Sequence, residues 1–288
     1  MAVLFEMVKY HSQSYPSDIP LRIEECAAHF DITAVRSALR CSLHTEYSYG
    51  RRKLDSRLIK QFPAIRSAQK DGVPQLWKDE DWALEFAQFV CALAEGNNPA
   101  VIEIHPPFND YIGWEGFIRN YSLFEERILE RYPDVCLLIE NRCGSLYHGG
   151  RFLISKATEV ETLCNLIAQH NLSLKVAYDV PQIYTAHNAK KQSQFIDLLS
   201  QAESIRGQIG GVHLWGKRKT ETGRKVAHCG DLASYFENDM QTKDMFLHEF
   251  SRVFDDGIPR KMVLEVNSGN EDLLSIVSDL QGTGVVFV

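Results

Sequence analysis

The amino-acid sequence predicts an α/β protein, a single (β/α)8 barrel domain that spans residues 1–288. Two observations lead to this prediction. Short apolar strand segments alternate with amphipathic helical segments along most of the chain, and repeated strand–helix units build parallel sheets. Six of the strand segments end in one carboxylate or imidazole, which is typical of the carboxyl ends of barrel strands, where active sites form.

Eight strand segments are predicted from short apolar runs. They cover residues 3–8, 41–44, 101–105, 135–140, 174–179, 209–213, 262–265 and 284–288. The first segment that ends in histidine begins at residue 41, and only one predicted strand precedes it. A ring of eight strands therefore lacks one near its start. We expect the C-terminal segment, 284–288, to lie beside the first strand and close the barrel; the alternative is an open or seven-stranded barrel.

Helical segments are predicted between the strands, because apolar residues recur there at intervals of three or four. They cover residues 21–39, 80–95, 117–131, 156–169, 190–204, 243–254 and 271–280. Asp and Thr residues before several of them are suited to N-capping. The stretch 47–80 is too long for an ordinary strand–helix connection. It is interpreted as a lid or substrate clamp at the active face, or as a short helix packed on the surface.

Charge is unevenly distributed along the chain, whose net charge is −7. Residues 51–70 and 217–225 are each rich in Lys and Arg and contain one acidic residue apiece. Basic loops on an acidic body predict an anionic ligand at a local site, not general coating of nucleic acid. The alternative is ordinary solvated surface charge.

Cysteine content and hydropathy bear on where the protein works. None of the seven cysteines forms a Cys-x-x-Cys pair, which favours reduced thiols in the cytosol. No apolar run approaches the roughly 20 residues that cross a bilayer, and the first residues lack a signal-peptide pattern. We expect a cytoplasmic protein with no membrane partner, and the sequence leaves the oligomeric state open.

The six strand-end residues form a candidate set of metal ligands. Neutral imidazole and carboxylate oxygen are donors that divalent metals prefer, whereas a single histidine would more often be a structural residue. The set is His44, His105, Glu140, Asp179, His213 and Glu265. We predict one ion held by the last four and a second held by the two leading histidines, with Glu140 or Glu265 as a bridge. A carboxylate bridge between two ions suits phosphoester displacement.

The order of these residues resembles the xylose isomerase-like TIM barrel superfamily, and most closely its apurinic endonuclease (endonuclease IV-like) branch. The matching motifs lie within residues 40–280 and read His44-Thr45-Glu46-Tyr47, His105-Pro106, Glu140-Asn141, Asp179, His213-Leu214 and Leu264-Glu265. The resemblance implies zinc ions that share a glutamate and a hydrolase that cleaves phosphoester bonds. Manganese or magnesium is the alternative metal.

The chain departs from the family pattern where that pattern binds a third ion. Family members carry Asp-x-x-His and Asp-x-His, but the first motif here runs from Asp179 to Gln182 and the second from Val226 to His228. Of the three residues expected after Asp179 to complete that ion's site, only His228 remains as a candidate metal ligand. The resemblance therefore implies a two-metal site with a degraded third-metal site.

Substrate contacts are assigned to residues that follow the strand ends. We expect the basic side chains to neutralise phosphate oxygens, and Trp215 to line the pocket. The basic side chains are Arg51, Arg52, Lys217, Lys219 and Arg224. The predicted partner is an anionic substrate, either nucleic acid or a small phosphoester. The glycine-rich stretch 144–150 is interpreted as backbone near the substrate.

Sugar isomerases and epimerases of the same superfamily provide the alternative function. Such an enzyme uses one ion, and Glu140 and Glu265 would be its catalytic residues, moving a proton on and off carbon. His44 and His105 are not needed as ligands in that branch, so their presence favours hydrolysis. The degraded third-metal motif favours the alternative. A catalytically inert binding barrel is a third interpretation.

Overall fold

Eight parallel strands close into a ring in the computed structural model, which describes residues 2–144, 146–147 and 150–288. The strands are β1 Val3–Lys9, β2 Ile23–Ala28, β3 Arg40–Thr45, β4 Val101–Ile104, β5 Cys136–Glu140, β6 Lys175–Asp179, β7 Ile209–Leu214 and β8 Arg260–Leu264. They follow one another around the ring in chain order, and β8 pairs with β1 to close it. The α/β barrel predicted from the sequence is therefore confirmed.

The strand missing from the prediction is β2, and the helix predicted over residues 21–39 is wrong. Val8 of β1 pairs with Ile23 at the start of β2. The strand reads Ile-Glu-Glu-Cys-Ala-Ala, and glutamate and alanine favour helix by intrinsic propensity. Pairing in the sheet outweighs that propensity here, because helix preference amounts to only a few tenths of a kcal/mol per residue.

The C-terminal segment joins the sheet as an extra strand outside the ring, β9 (Val285–Phe287). It pairs with the first half of β1, with Val3 opposite Val285 and Phe5 opposite Phe287. The second half of the same edge of β1 is taken by β2. The expectation that 284–288 closes the barrel is therefore wrong, since the pairing of β8 with β1 closes it.

Nine α-helices are present in the described part of the chain. They are α1 Pro63–Ser67, α2 Glu80–Leu93, α3 Trp114–Arg131, α4 Ala157–His170, α5 Val180–Ala186, α6 Gln192–Gln201, α7 Leu232–Tyr235, α8 Met240–Phe254 and α9 Asn270–Gly282. Helix α2 begins after Asp79, whose side chain accepts a hydrogen bond from the backbone N–H of Trp82 and so caps the helix. None of the helices described is long and apolar enough to cross a membrane.

The long connection after β3 contains a 3-10 turn (Ile59–Gln61), α1 and a short hairpin. Trp77 anchors the C-terminal part of this connection. Its indole ring is fully buried, and the indole Nε1–H donates to the carbonyl of His105 at 2.7 Å. The ring also packs edge-on against Phe86 and Phe124. The short helix that was the alternative interpretation of this stretch is therefore present, and the connection is tied to the strand that ends near His105.

The chain divides into two compact units, one formed by the residues up to Glu24 together with Tyr178–Val288, and the other by Glu25–Ala177. The core of the second unit includes the aromatic side chains of α2 and α3, around Trp77 and Tyr121. In the first unit, Phe5 of β1 stacks on Phe250 of α8. Each such ring contributes about 1.5–3 kcal/mol by burial.

Candidate metal centre

Two imidazoles and two carboxylates meet near the ends of β3, β4 and β5, all within the unit Glu25–Ala177. His44, Glu103, His105 and Glu140 each offer a ligand atom, and these atoms lie within 4.8 Å of one another. Nε2 of His105 is 2.8 Å from Oε2 of Glu140, and Nδ1 of His44 is 3.3 Å from Oε1 of Glu103. We call these four residues the first ligand set. Such mixed nitrogen and oxygen donors suit a divalent metal.

Glu103 was missed by the sequence interpretation, although a signal for it existed. It lies two residues before His105 in β4, and side chains two apart in a strand point to the same face. An acid in the middle of the apolar segment Val101–Ile104 is therefore placed beside that imidazole. Period-two alternation would have identified it.

The two nitrogens of His105 both face hydrogen-bond acceptors. Nδ1 is 3.2 Å from the carbonyl oxygen of Glu46, which can only accept, so Nδ1 carries the hydrogen. In a neutral imidazole Nε2 then presents a lone pair to Oε2 of Glu140. Burial is the largest influence on His105 and lowers its pKa, against the opposing hydrogen bond to Glu140. Protonation of Nε2 is thus disfavoured, and its lone pair together with the carboxylate oxygen of Glu140 could hold a divalent cation.

The pKa of His44 is shifted in the opposite direction to that of His105. Burial alone would lower its pKa, but the hydrogen bond to Glu103 and the negative charges of Glu25 and Glu140 raise it to about 9. In the metal-free protein His44 is therefore a cation at neutral pH. His29, which follows β2, packs edge-on against His44, and burial lowers the pKa of His29 to about 4.

Arg52, which the sequence assigned to substrate binding, is occupied by a structural carboxylate. Its Nε donates to Oε1 of the fully buried Glu46 at 3.0 Å. Its guanidinium also lies 5.0 Å from the centre of the Tyr47 ring. Arg51 is exposed to solvent. The predicted substrate role of both arginines stays a prediction.

A second arginine, Arg142, contacts the first ligand set, and the sequence interpretation missed it. Its Nη1 donates to Oε2 of Glu140 at 2.9 Å, and its guanidinium lies 5.4 Å from the centre of the Tyr47 ring. The sequence shows only a basic residue two positions after a strand end, which is a weak signal. In the glycine-rich stretch 144–150 that follows, residues 145, 148 and 149 lie outside the described residues.

Further carboxylates and imidazoles meet near the ends of β7 and β8, within the unit that contains Tyr178–Val288. The carboxylate of Glu265 lies between two imidazoles: Oε1 is 3.2 Å from Nδ1 of His213, and Oε2 is 3.1 Å from Nδ1 of His228. Burial would raise the pKa of Glu265, but its hydrogen bonds to the two histidines hold that pKa well below the usual range. Asp179 and His213 offer ligand atoms within 4.8 Å of each other. We call these two residues, with Glu265 and His228, the second ligand set.

Asp179 is held by three N–H donors. Its Oδ1 accepts from the backbone of Gln182 at 2.8 Å and caps α5. Its Oδ2 accepts from Nε2 of Gln182 at 2.9 Å and from Nε1 of Trp215 at 3.0 Å. Trp215 is buried and stacks on His228, with ring centres 4.4 Å apart. Gln182, which replaces a histidine of the third-ion motif, thus binds the motif's aspartate by a hydrogen bond.

The basic loop after β7 is a hairpin formed by Lys217–Lys219 and Lys225–Ala227. Gly216 lies directly before it and approaches the backbone of Gly230 closely. A Cβ at position 216 would lie 2.0 Å from the carbonyl oxygen of Gly230. Only glycine allows this approach, which fixes the base of the hairpin against the loop before α7.

The basic side chains of this hairpin are not equivalent. Lys219 and Lys225 each lie 2.5 Å from an oxygen of Glu237, so the two share one negative charge. Lys217 is half-buried, and burial together with the charge of Lys225 lowers its pKa against the opposing charge of Glu237. Across the described residues, no carboxylate lies within ion-pair distance of Lys217 or of the exposed Arg224. These two residues retain the charge that an anionic ligand would use.

Comparison with known proteins bears on the fold. Neither a protein-family model nor a curated protein matches the sequence. The crystal structure of AsfvAP:AG matches 98% of this chain and 98% of its own, with 11% sequence identity and a TM-score of 0.54. An AP endonuclease of family 2 from Brucella melitensis matches 94% of this chain and 96% of its own, with 12% identity and a TM-score of 0.51. The chain shares their fold. The resemblance that the strand-end motifs predicted is confirmed at that level.

Proposed function

We propose that the protein is a divalent-metal-dependent hydrolase of phosphoester bonds, related in action to apurinic endonucleases. The observation that carries the proposal is His105, whose Nδ1 meets a carbonyl while its Nε2 lies 2.8 Å from a carboxylate oxygen. A buried neutral imidazole whose lone pair faces a carboxylate oxygen can hold a divalent cation together with that oxygen. The fold of an AP endonuclease of family 2 supports the same choice.

The first ligand set has the donors that zinc requires, two imidazoles and two carboxylates. A bound ion would polarise a phosphoryl oxygen. It would also lower the pKa of its bound water to about 7, which makes hydroxide available at neutral pH. Neighbouring groups hold the two histidines of the first ligand set in position. The carbonyl of Glu46 fixes the tautomer of His105, and the carboxylate of Glu103 orients His44. Partners of this kind hold ligands in place and raise their basicity.

The second ligand set is proposed to hold a further ion through Asp179, His213 and Glu265. Glu265 is oriented by the imidazoles on both of its oxygens. A third ion of the family type has little support, because the amide of Gln182 donates to Asp179 where a ligand is expected. We therefore propose two ions and not three.

The proposed substrate is anionic, either a nucleic acid or a small phosphoester. Lys217 and Arg224 support this proposal, because no carboxylate of the described residues forms an ion pair with either of them. Lys219 contributes less, since it pairs with Glu237. A fixed positive charge attracts a polyanion and adds affinity that depends on salt.

A sugar isomerase or epimerase is the second candidate. The hydrogen bond between Gln182 and Asp179 favours it, because the endonuclease pattern needs a metal ligand at that position. In this case Glu140 and Glu265 would transfer a proton on carbon, and no phosphoester would be cleaved.

Metal content and a substrate panel test the proposal together. The protein is loaded with zinc, manganese or magnesium, analysed for bound metal, and incubated with abasic-site DNA, small phosphodiesters and a panel of sugars in deuterated water. We expect about two ions per chain and ester cleavage. His105→Ala should lose one ion and the cleavage, whereas His248→Ala, whose histidine is exposed on α8, should lose neither. Deuterium incorporation into a sugar with all esters intact would establish the second candidate instead.

A further inference from the structure

One carboxylate oxygen of the first ligand set, Oε2 of Glu140, contacts two basic side chains, those of Arg142 and His105. Oε2 of Glu140 accepts from Arg142 Nη1 at 2.9 Å and lies 2.8 Å from Nε2 of His105. The side chain of Glu140 is only 1% exposed. A divalent ion held by this oxygen and by His105 would repel the guanidinium at the same oxygen, and such repulsion is strong where water is excluded. Metal binding and the Arg142 contact therefore oppose each other.

The surroundings of Arg142 limit where its guanidinium can move. The group lies 5.4 Å from the centre of the Tyr47 ring and 5.8 Å from the centre of the Phe152 ring, and aromatic faces attract guanidinium ions. The side chain is 15% exposed, so it has access to solvent. A guanidinium kept on these rings would remain within a short distance of the ligand set after leaving Glu140.

We infer that Arg142 binds the anionic group of the substrate and exchanges Glu140 for that group when a metal ion is bound. This inference rests on the proposed function, because it requires an ion at the first ligand set. The planar fork of N–H donors on arginine matches two oxygens of a phosphoryl group, which a lysine ammonium does not. Arg142 would then couple metal loading to recognition of the phosphoryl group.

The test compares Arg142→Gln with the wild-type protein in two binding measurements. Zinc alone is titrated against a competing chromophoric chelator, and inorganic phosphate is titrated by calorimetry with and without zinc. In Arg142→Gln we expect zinc affinity to rise by about tenfold, because the competing cation is gone. Phosphate affinity in the presence of zinc should fall by about tenfold or more, the size expected for a lost charge-assisted hydrogen bond. General damage to the fold would lower both affinities.

Two further variants sharpen the comparison. Arg142→Lys keeps the charge and should restore only part of the phosphate affinity. Arg127→Gln removes one charge from an exposed pair with Glu130 on α3 and should change neither affinity.

Three outcomes would decide against the inference or separate it from the proposed function. Phosphate affinity that is unchanged in Arg142→Gln overturns the inference. So does the joint loss of zinc and phosphate binding, which would make Arg142 a structural support of the ligand set. If the wild-type protein binds no metal, the proposed function fails and the exchange at Glu140 fails with it; if metal binds and only the phosphate affinity ignores Arg142, the inference alone is overturned.

Discussion

Nδ1 of His44 lies 3.3 Å from Oε1 of Glu103, so a histidine assigned to metal binding is within ion-pair distance of a neighbouring carboxylate. This contact is the main reason that the pKa of His44 rises to about 9 despite its burial. The proton and a metal ion therefore compete for the same imidazole.

Metal affinity of the first ligand set should increase with pH up to about 9. His44 must lose a proton to bind an ion, and below its pKa of about 9 each pH unit should raise the affinity about tenfold. Zinc titrations against a chelator between about pH 7 and pH 9 measure this. Once the chelator's own protonation is subtracted, a flat profile would contradict the role of His44.

The same shift predicts a contribution of His44 to the stability of the metal-free protein. The folded pKa of about 9 lies above the ordinary value of 6.5. The stabilisation is therefore fully present below about pH 6.5 and is lost as the pH rises through about 9. Urea unfolding of the wild-type protein and of His44→Gln should give free energies that differ most at the lower pH. A difference that grows with pH would have the wrong sign.

Glu103→Gln should lower the pKa of His44 and weaken zinc binding. The amide no longer supplies the charge that holds the proton, and it is a poorer metal ligand than a carboxylate. Loss of a ligand or its supporting partner typically costs about 10–100-fold in metal affinity. NMR titration of the His44 ring and chelator competition measure the two effects. Glu126→Gln, an exposed acid on α3, is the matched control and should change neither quantity.

Most of the barrel could be predicted because its strands and helices have distinct periodicities. Two parts could not. Strand β2 has the composition of a helix and becomes a strand only by pairing with β1. The apolar tail looked like a ring strand, but the pairing of β8 with β1 leaves β9 outside the ring. Both errors concern which strands pair, and pairing depends on residues far apart in the sequence.

The candidate site likewise contains residues that could be predicted from the sequence and contacts that could not. Residues that follow directly after strand segments, such as His105 and Glu265, were identified from the sequence. The contact of Arg142 with Glu140 and the pairing of Arg52 with Glu46 depend on side-chain directions in loops, which no periodicity specifies. The sequence could show that Gln182 replaces a ligand, but not that its amide binds Asp179.

Trp77→Phe should destabilise the protein and disturb the first ligand set. The indole Nε1–H donates to the carbonyl of His105 at 2.7 Å, and a phenyl ring leaves that buried carbonyl without this donor. The expected cost in unfolding free energy is about 1–3 kcal/mol, and Trp77→Ala should cost ~3–5 kcal/mol through the cavity it creates. Urea denaturation measures both. An unchanged stability in Trp77→Phe would show that the hydrogen bond contributes nothing.

Restoring the family's third-ion motif should add one bound ion. Gln182→His alone breaks the hydrogen bond to Asp179 but leaves Val226 in place of an acid, so we expect the metal content to stay at the wild-type value. The double variant Gln182→His/Val226→Asp supplies both missing ligands and should bind one more ion per chain. Elemental analysis after dialysis gives the count. If the double variant binds no additional ion, the degraded-motif interpretation is wrong.

The last prediction separates the lysines of the hairpin and bears on the substrate. Lys217→Gln should weaken the binding of an anionic substrate, because no carboxylate of the described residues forms an ion pair with Lys217. Lys219→Gln should have a smaller effect, since Lys219 pairs with Glu237, and it serves as the matched control on the same hairpin. Binding of abasic-site DNA is measured over a range of salt concentrations for both variants.

If the substrate is a polyanion, wild-type affinity falls steeply with salt, and Lys217→Gln reduces the slope of log affinity against log salt by about one. Equal effects of the two substitutions would show that Glu237 does not control their charges, and an affinity that ignores salt would favour a small phosphoester over nucleic acid.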